Sequence, residues 1–129
     1  MILAIDTSTP ECKMFLIREE SKIVHKTWLA ERRLALELLE QLETFLSENN
    51  LTFQNLTGLV IFRGPGSFTG LRIGITVFNT LADSLEIPIV GEIGDDWLAK
   101  GTDRLNKNNI DSIVLPEYGV PPHITQPKK

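Results

Sequence analysis

The sequence predicts an α/β domain: a mixed five-stranded sheet covered by two or three helices. Three observations lead to this reading. Apolar runs of strand length recur at residues 2–5, 59–62 and 89–91. Two longer stretches, 30–48 and 70–85, repeat their apolar residues with the spacing of a helix. A glycine-rich turn joins the run 59–62 to the second of these helices, and the order strand, strand, strand, helix, strand, helix, strand suits a sheet with helices packed on it.

Residues 2–5 read as a buried strand that ends in the polar, turn-forming cluster Asp6-Thr7-Ser8-Thr9-Pro10. Residues 13–18 and 22–28 read as two short strands joined through Glu19-Glu20-Ser21, a hairpin. On the helix 30–48, Leu34, Leu38 and Phe45 cluster, with Leu39, Leu42 and Leu46 beside them and Leu36 outside. The apolar arc spans roughly 140°, wider than the ~100° stripe of an ordinary surface helix. Asn49-Asn50 breaks that helix, and Thr57-Gly58 leads into the strand 59–62. The helix 70–85 is again apolar over more than half its circumference, leaving Arg72, Thr76, Asn79 and Asp83 for the polar side. Such breadth means either deep burial or one side for the sheet and another for a partner, and both readings stand. Pro88 ends this helix, 89–91 forms a strand and 95–100 a short helix with acids at its start. Residues 105–109 read as a polar loop, 112–115 as a last short strand, and the proline-rich stretch from Pro116 as an extended tail.

The glycine-rich turn GPGSFTGLRIG, residues 64–74, is the most distinctive stretch. Gly64 and Gly66 tolerate positive φ, and Pro65 stiffens the chain between them. Ser67 or Thr69 can cap the helix, while Gly70 and Gly74, one turn apart, allow another backbone to come close. N–H groups converging at a helix start could cradle a phosphate. The spacing, however, is G-x-G-x-x-x-G, neither the dinucleotide fingerprint nor a P-loop, so a turn built for tight packing is the favoured reading.

The composition suits one soluble globular domain: 129 residues, 42% hydrophobic and 23% charged. The net charge of −4 argues against a free-standing nucleic-acid binder but allows a subunit whose partner holds the RNA. The single Cys12 cannot form an internal disulfide and fits a reducing cytosol. No run approaches the roughly 18 apolar residues of a membrane span, and residues 1–5 make no signal peptide. A cytoplasmic protein without membrane contact is expected.

Together with Ile5-Asp6-Thr7-Ser8-Thr9, the string GPGSFTGLRIG resembles the TsaB (YeaZ) family, glycoprotease-like subunits of the bacterial machinery that makes threonylcarbamoyladenosine in tRNA. The resemblance implies an actin-like ATPase (ribonuclease H-like) lobe over residues 1–101. Residues 102–129 would be a short remnant of the second lobe and a tail, in which Val114-Leu115-Pro116-Glu117-Tyr118 resembles the end of full-length members. It further implies a non-catalytic subunit that stabilises a TsaD-like catalytic subunit, with a TsaE-like ATPase in the cycle and tRNA reached only through the complex. ATP and metal are then expected on the partner subunits, with no cofactor strongly bound by this chain. Where members carry a His before the Leu-Leu pair, this chain has Leu34.

On that reading, Leu34, Leu38, Gly70, Ile73, Gly74 and Val77 are the expected partner contacts. Asp6, Thr7, Gly64, Gly66 and Ser67 would be a vestigial phosphate site. The rivals are a nucleotide-binding module built on those residues and a homodimer formed through the same helices. A protease is disfavoured, since Gly66-Ser67-Phe68-Thr69-Gly70 is not G-x-S-x-G and neither His25 nor His123 is visibly paired with a buried acid. The same two histidines, far apart, make no metal-ligand cluster.

Overall fold

The computed structural model describes residues 1–18, 22–30 and 33–119. The sheet is built from β1 (Ile2–Asp6), β2 (Glu11–Ile17), β3 (Ile23–Leu29), β4 (Gly58–Phe62) and β5 (Ile89–Glu92) in the order β3-β2-β1-β4-β5. β2 runs antiparallel to both β1 and β3, whereas β1, β4 and β5 are parallel. The helices are α1 (Leu34–Glu48), α2 (Phe68–Leu85) and α3 (Trp97–Asn106), with a 3₁₀ turn at Phe53–Asn55. Helices joining parallel strands must cross the sheet, and here α1 and α2 lie on one face and α3 on the other.

The strand register decides which side chains face which layer. Leu3, Ile5, Met14, Leu16, Leu59, Ile61 and Ile89 point to one face. There they meet Leu34, Leu38, Leu42, Phe45 and Leu46 of α1 and Leu71, Ile75, Phe78 and Ala82 of α2 in the main core. The opposite face carries Ala4, Val60 and Phe15 under Trp97 of α3. Trp97 stands edge-on to Phe15 and Phe62, with centroids 5.7 and 5.8 Å away, a favoured arrangement for aromatic pairs.

Four expectations shift. α1 begins at Leu34 rather than residue 30, because Ala30 still belongs to the β3 end, its N–H donating to the Pro10 carbonyl at 2.9 Å. The predicted polar loop 105–109 is helical as far as Asn106; α3 starts later than expected, at Trp97, and continues past Gly101. Val60 lies so close that a side chain at Gly101 would overlap its Cγ1. No strand forms at 112–115. The only pairing there is a bridge from Asp111 to Ile89, because the local hydrogen bonds go to side chains instead. The expected hairpin turn Glu19-Glu20-Ser21 lies outside the described residues, bracketed by an Arg18 N–H to Lys22 carbonyl bond of 2.7 Å.

Candidate functional site

The glycine turn lies between the C-terminal end of β4 and the start of α2. Gly64 is buried with φ of 128°, a conformation that side-chain-bearing residues rarely adopt. Ser67 caps α2, its Oγ accepting from the Gly70 N–H at 3.3 Å. The other wall of the site is the turn after β1. The Ser67 N–H donates to the Ser8 carbonyl at 2.8 Å, and Thr7 Oγ1 donates to the Gly70 carbonyl at 2.7 Å. A methyl group added at Gly66 would overlap Ser8, one at Gly70 the Thr7 carbonyl, and one at Gly74 the Thr7 hydroxyl. Gly66, Gly70 and Gly74 therefore serve the close approach of the Thr7-Ser8 turn to the start of α2.

The same contact places the residues of the expected phosphate site. The Ser67 and Gly70 N–H groups are both committed to protein oxygens, and the place in front of Gly66 is filled by Ser8. Asp6 uses its carboxylate to accept from the Ser8 N–H at 2.8 Å, shaping the turn. Thr7 is fully buried. Beneath the turn, Cys12 is buried, with its thiol directed to the Thr9 carbonyl at 3.7 Å. Burial first, and then the Asp6 carboxylate, push its pKa up to about 11, so the thiol stays protonated at neutral pH. Among the described residues, no group of three or more His, Cys, Asp or Glu side chains is placed to hold a metal ion.

The expected partner contacts divide in two. Leu34, Leu38 and Gly74 face inward, the leucines into the main core and Gly74 against Thr7. This corrects their placement on an outer surface: the helical period turns them to the sheet. Gly70, Ile73 and Val77 are half-buried. Ile73 and Val77 line a shallow groove of about 450 Å³ with Ala35, Thr69, Arg72 and Thr76 between α1 and α2. Leu36 and Leu39 of α1 also project outward, 77% and 53% exposed. The wide apolar arcs of α1 and α2 thus hold both meanings at once, an inner side in the core and an outer side left open. The outward role of Leu36 was signalled by its position beyond the apolar cluster. Phe68, 55% exposed at the start of α2, was missed because an apolar residue inside a glycine-rich turn carries no periodic signal.

With this geometry established, comparison with known proteins gives a consistent result. A family model described as TsaD: tRNA N6-adenosine threonylcarbamoyltransferase matches residues 26–101. The chain belongs to this family. Within it, the resemblance is to TsaB/YeaZ proteins. The tRNA threonylcarbamoyladenosine biosynthesis protein TsaB of Bacillus subtilis is 33% identical over 117 residues, covering 91% of this chain and 49% of the relative. TsaB of Escherichia coli is 34% identical over 105 residues, covering 81% and 45%. The structure of YeaZ from Pseudomonas aeruginosa superposes with a TM-score of 0.67 at 30% identity, covering 84% of this chain and 49% of that one. The chain spans about half the length of these relatives. The five-stranded mixed sheet with three helices is therefore the α/β lobe of the TsaD-type, actin-like fold. No helix among the described residues is long and apolar enough to cross a membrane.

Proposed function

We propose that this TsaD-family chain is a non-catalytic binding subunit in the biosynthesis of threonylcarbamoyladenosine in tRNA, and that its α1–α2 outer side docks a TsaD-like catalytic subunit. The observation that carries the reading is the open groove lined by Ile73 and Val77, together with Leu36 and Leu39, which α1 leaves exposed to water. A helix pair whose inner side already fills the core gains nothing in its own fold from these leucines, whereas burial under a second helix pair would remove them from water. The similarity to TsaB proteins of threonylcarbamoyladenosine biosynthesis supports this pathway. On this reading the chain acts by favouring the partner's competent conformation through interface burial. ATP and metal belong to the TsaD-like and TsaE-like subunits, tRNA is met only through the assembly, and the site of action is the cytoplasm.

The test is light scattering on size-exclusion fractions of the chain mixed with the TsaD-like protein of the same genome. A one-to-one complex is expected. Ile73→Arg, placed in the groove rather than the core, should weaken it at least about thirtyfold, as loss of a central interface anchor does, with an unchanged circular dichroism spectrum. A chain that ignores the TsaD-like protein, or a complex indifferent to Ile73→Arg, sinks the proposal. Persistence of a homodimer sensitive to Ile73→Arg, with no heterodimer, would assign the groove to self-association instead.

A further inference from the structure

We infer that residues 111–119 form a strap that holds the glycine turn and the first turn of α2 from outside, and thereby fixes the exposed Phe68–Arg72 corner of the helix pair. The strap begins at the sheet edge. The Asp111 N–H donates to the Ile89 carbonyl at 2.9 Å, and its carboxylate accepts from the Gly91 N–H at 2.9 Å and from Arg104 at 2.8 Å. Those bonds occupy outward-facing backbone groups of the edge strand β5. Val114 is next, buried against Gly91, where an added methyl would overlap its Cγ1. Both of its backbone polar groups are held by one side chain of α2. Asn79 Nδ2 donates to the Val114 carbonyl, and the Val114 N–H donates to Asn79 Oδ1, each at 3.0 Å. The amide stands in for a neighbouring strand, which is why the segment is ordered without being one.

The strap then reaches the glycine turn. The Glu117 N–H donates to the Arg63 carbonyl at 2.7 Å, and the Glu117 carbonyl lies where a side chain at Gly64 would stand. Tyr118 stacks on Phe68 with centroids 4.7 Å apart, and the Arg72 guanidinium lies 5.2 Å from the Phe68 centroid. The turn is thus gripped from two sides, by Thr7 and Ser8 within and by residues 114–118 without. These anchor points, Asn79, Arg63, Gly64 and Phe68, lie on α2 or the turn before it. Release of the strap would therefore loosen the glycine turn and α2 along the side it grips, while α1, which none of these contacts touches, keeps its place. The consequence for binding rests on the partner reading proposed above; the mechanical role does not.

Hydrogen exchange on the full chain, with Asn79→Ala and Tyr118→Ala as separate variants, tests the strap without any partner. The hydrogen-bonded amides of Ser67, Gly70 and Leu71 should exchange at least about tenfold faster in each variant, since Tyr118→Ala loses the stack on Phe68 and Asn79→Ala loses both bonds to Val114, while those of β1 and α3 keep their wild-type rates. Unchanged exchange at Ser67, Gly70 and Leu71, or an equal acceleration in β1 and α3, overturns the inference. In the binding assay, Tyr118→Ala should lower affinity for the TsaD-like protein about tenfold, and unaltered affinity would remove the strap from the docking surface. If the wild-type chain never binds that protein, the partner reading falls and exchange alone decides the strap.

Discussion

The two faces of the sheet are covered very differently. On one, α1 and α2 bury an unbroken set of large side chains, among them Leu3, Met14, Leu38, Phe45 and Phe78. On the other, α3 alone lies across β4 and β5, and among the described residues the buried members shrink to Ala4, Val60 and Trp97. Beyond α3, β2 and β3 keep Phe15 half-buried and leave Ile23 and Leu29 at 51% and 60% exposure. Apolar burial is what stabilises a domain, so stability should reside in the first layer, with the second supplying a lid over the parallel strands. The difference teaches that breadth of apolar surface on a helix says little until the opposite face of the sheet is known.

Paired substitutions can break that comparison. Phe78→Ala, in the first layer, is expected to lower unfolding free energy by about 4 kcal/mol, and Trp97→Ala, in the second, by about 3 kcal/mol, read from urea melts. A larger loss for Trp97 than for Phe78 would reverse the ranking of the layers. A smaller effect comes from Cys12, whose folded pKa is raised above that of an unfolded thiol. The unfolded chain releases this proton first, so the contribution is intact below pH 9 and is lost as pH rises towards about 11. Relative to Cys12→Ala, the wild type should lose on the order of 1 kcal/mol by pH 10. Parallel melting curves for the two proteins would contradict the burial. Last, Ile23→Thr and Leu29→Thr, on the open strip of β3, should each change stability by no more than about 0.5 kcal/mol. A loss above about 1.5 kcal/mol would mean that this strip is covered in solution.

Much of the lobe was readable from the residues. The strands at β1, β4 and β5 appear as short apolar runs because buried parallel strands are apolar on both faces. Ser67 reads as a helix cap because a hydroxyl before an apolar period satisfies a free N–H, and it does so at Gly70. Other features were not readable. Residues 112–115 look like a strand because Ile113, Val114 and Leu115 are apolar and β-branched or bulky, yet Asn79 takes the hydrogen bonds a neighbouring strand would make. The helicity of residues 101–106 was hidden by Gly101, whose missing side chain is required by Val60 across the interface.

By itself, then, the sequence determined the family, the α/β class and the positions of the strands and the two long helices, because local periodicity and a motif of eleven residues are properties of adjacent positions. Tertiary structure alone decided which side of each apolar helix is open, why the glycine turn packs against Thr7 and Ser8, and how residues 111–119 return to α2. Each of these depends on groups dozens of residues apart meeting within a few ångströms, and no pattern of neighbouring residues encodes such a meeting.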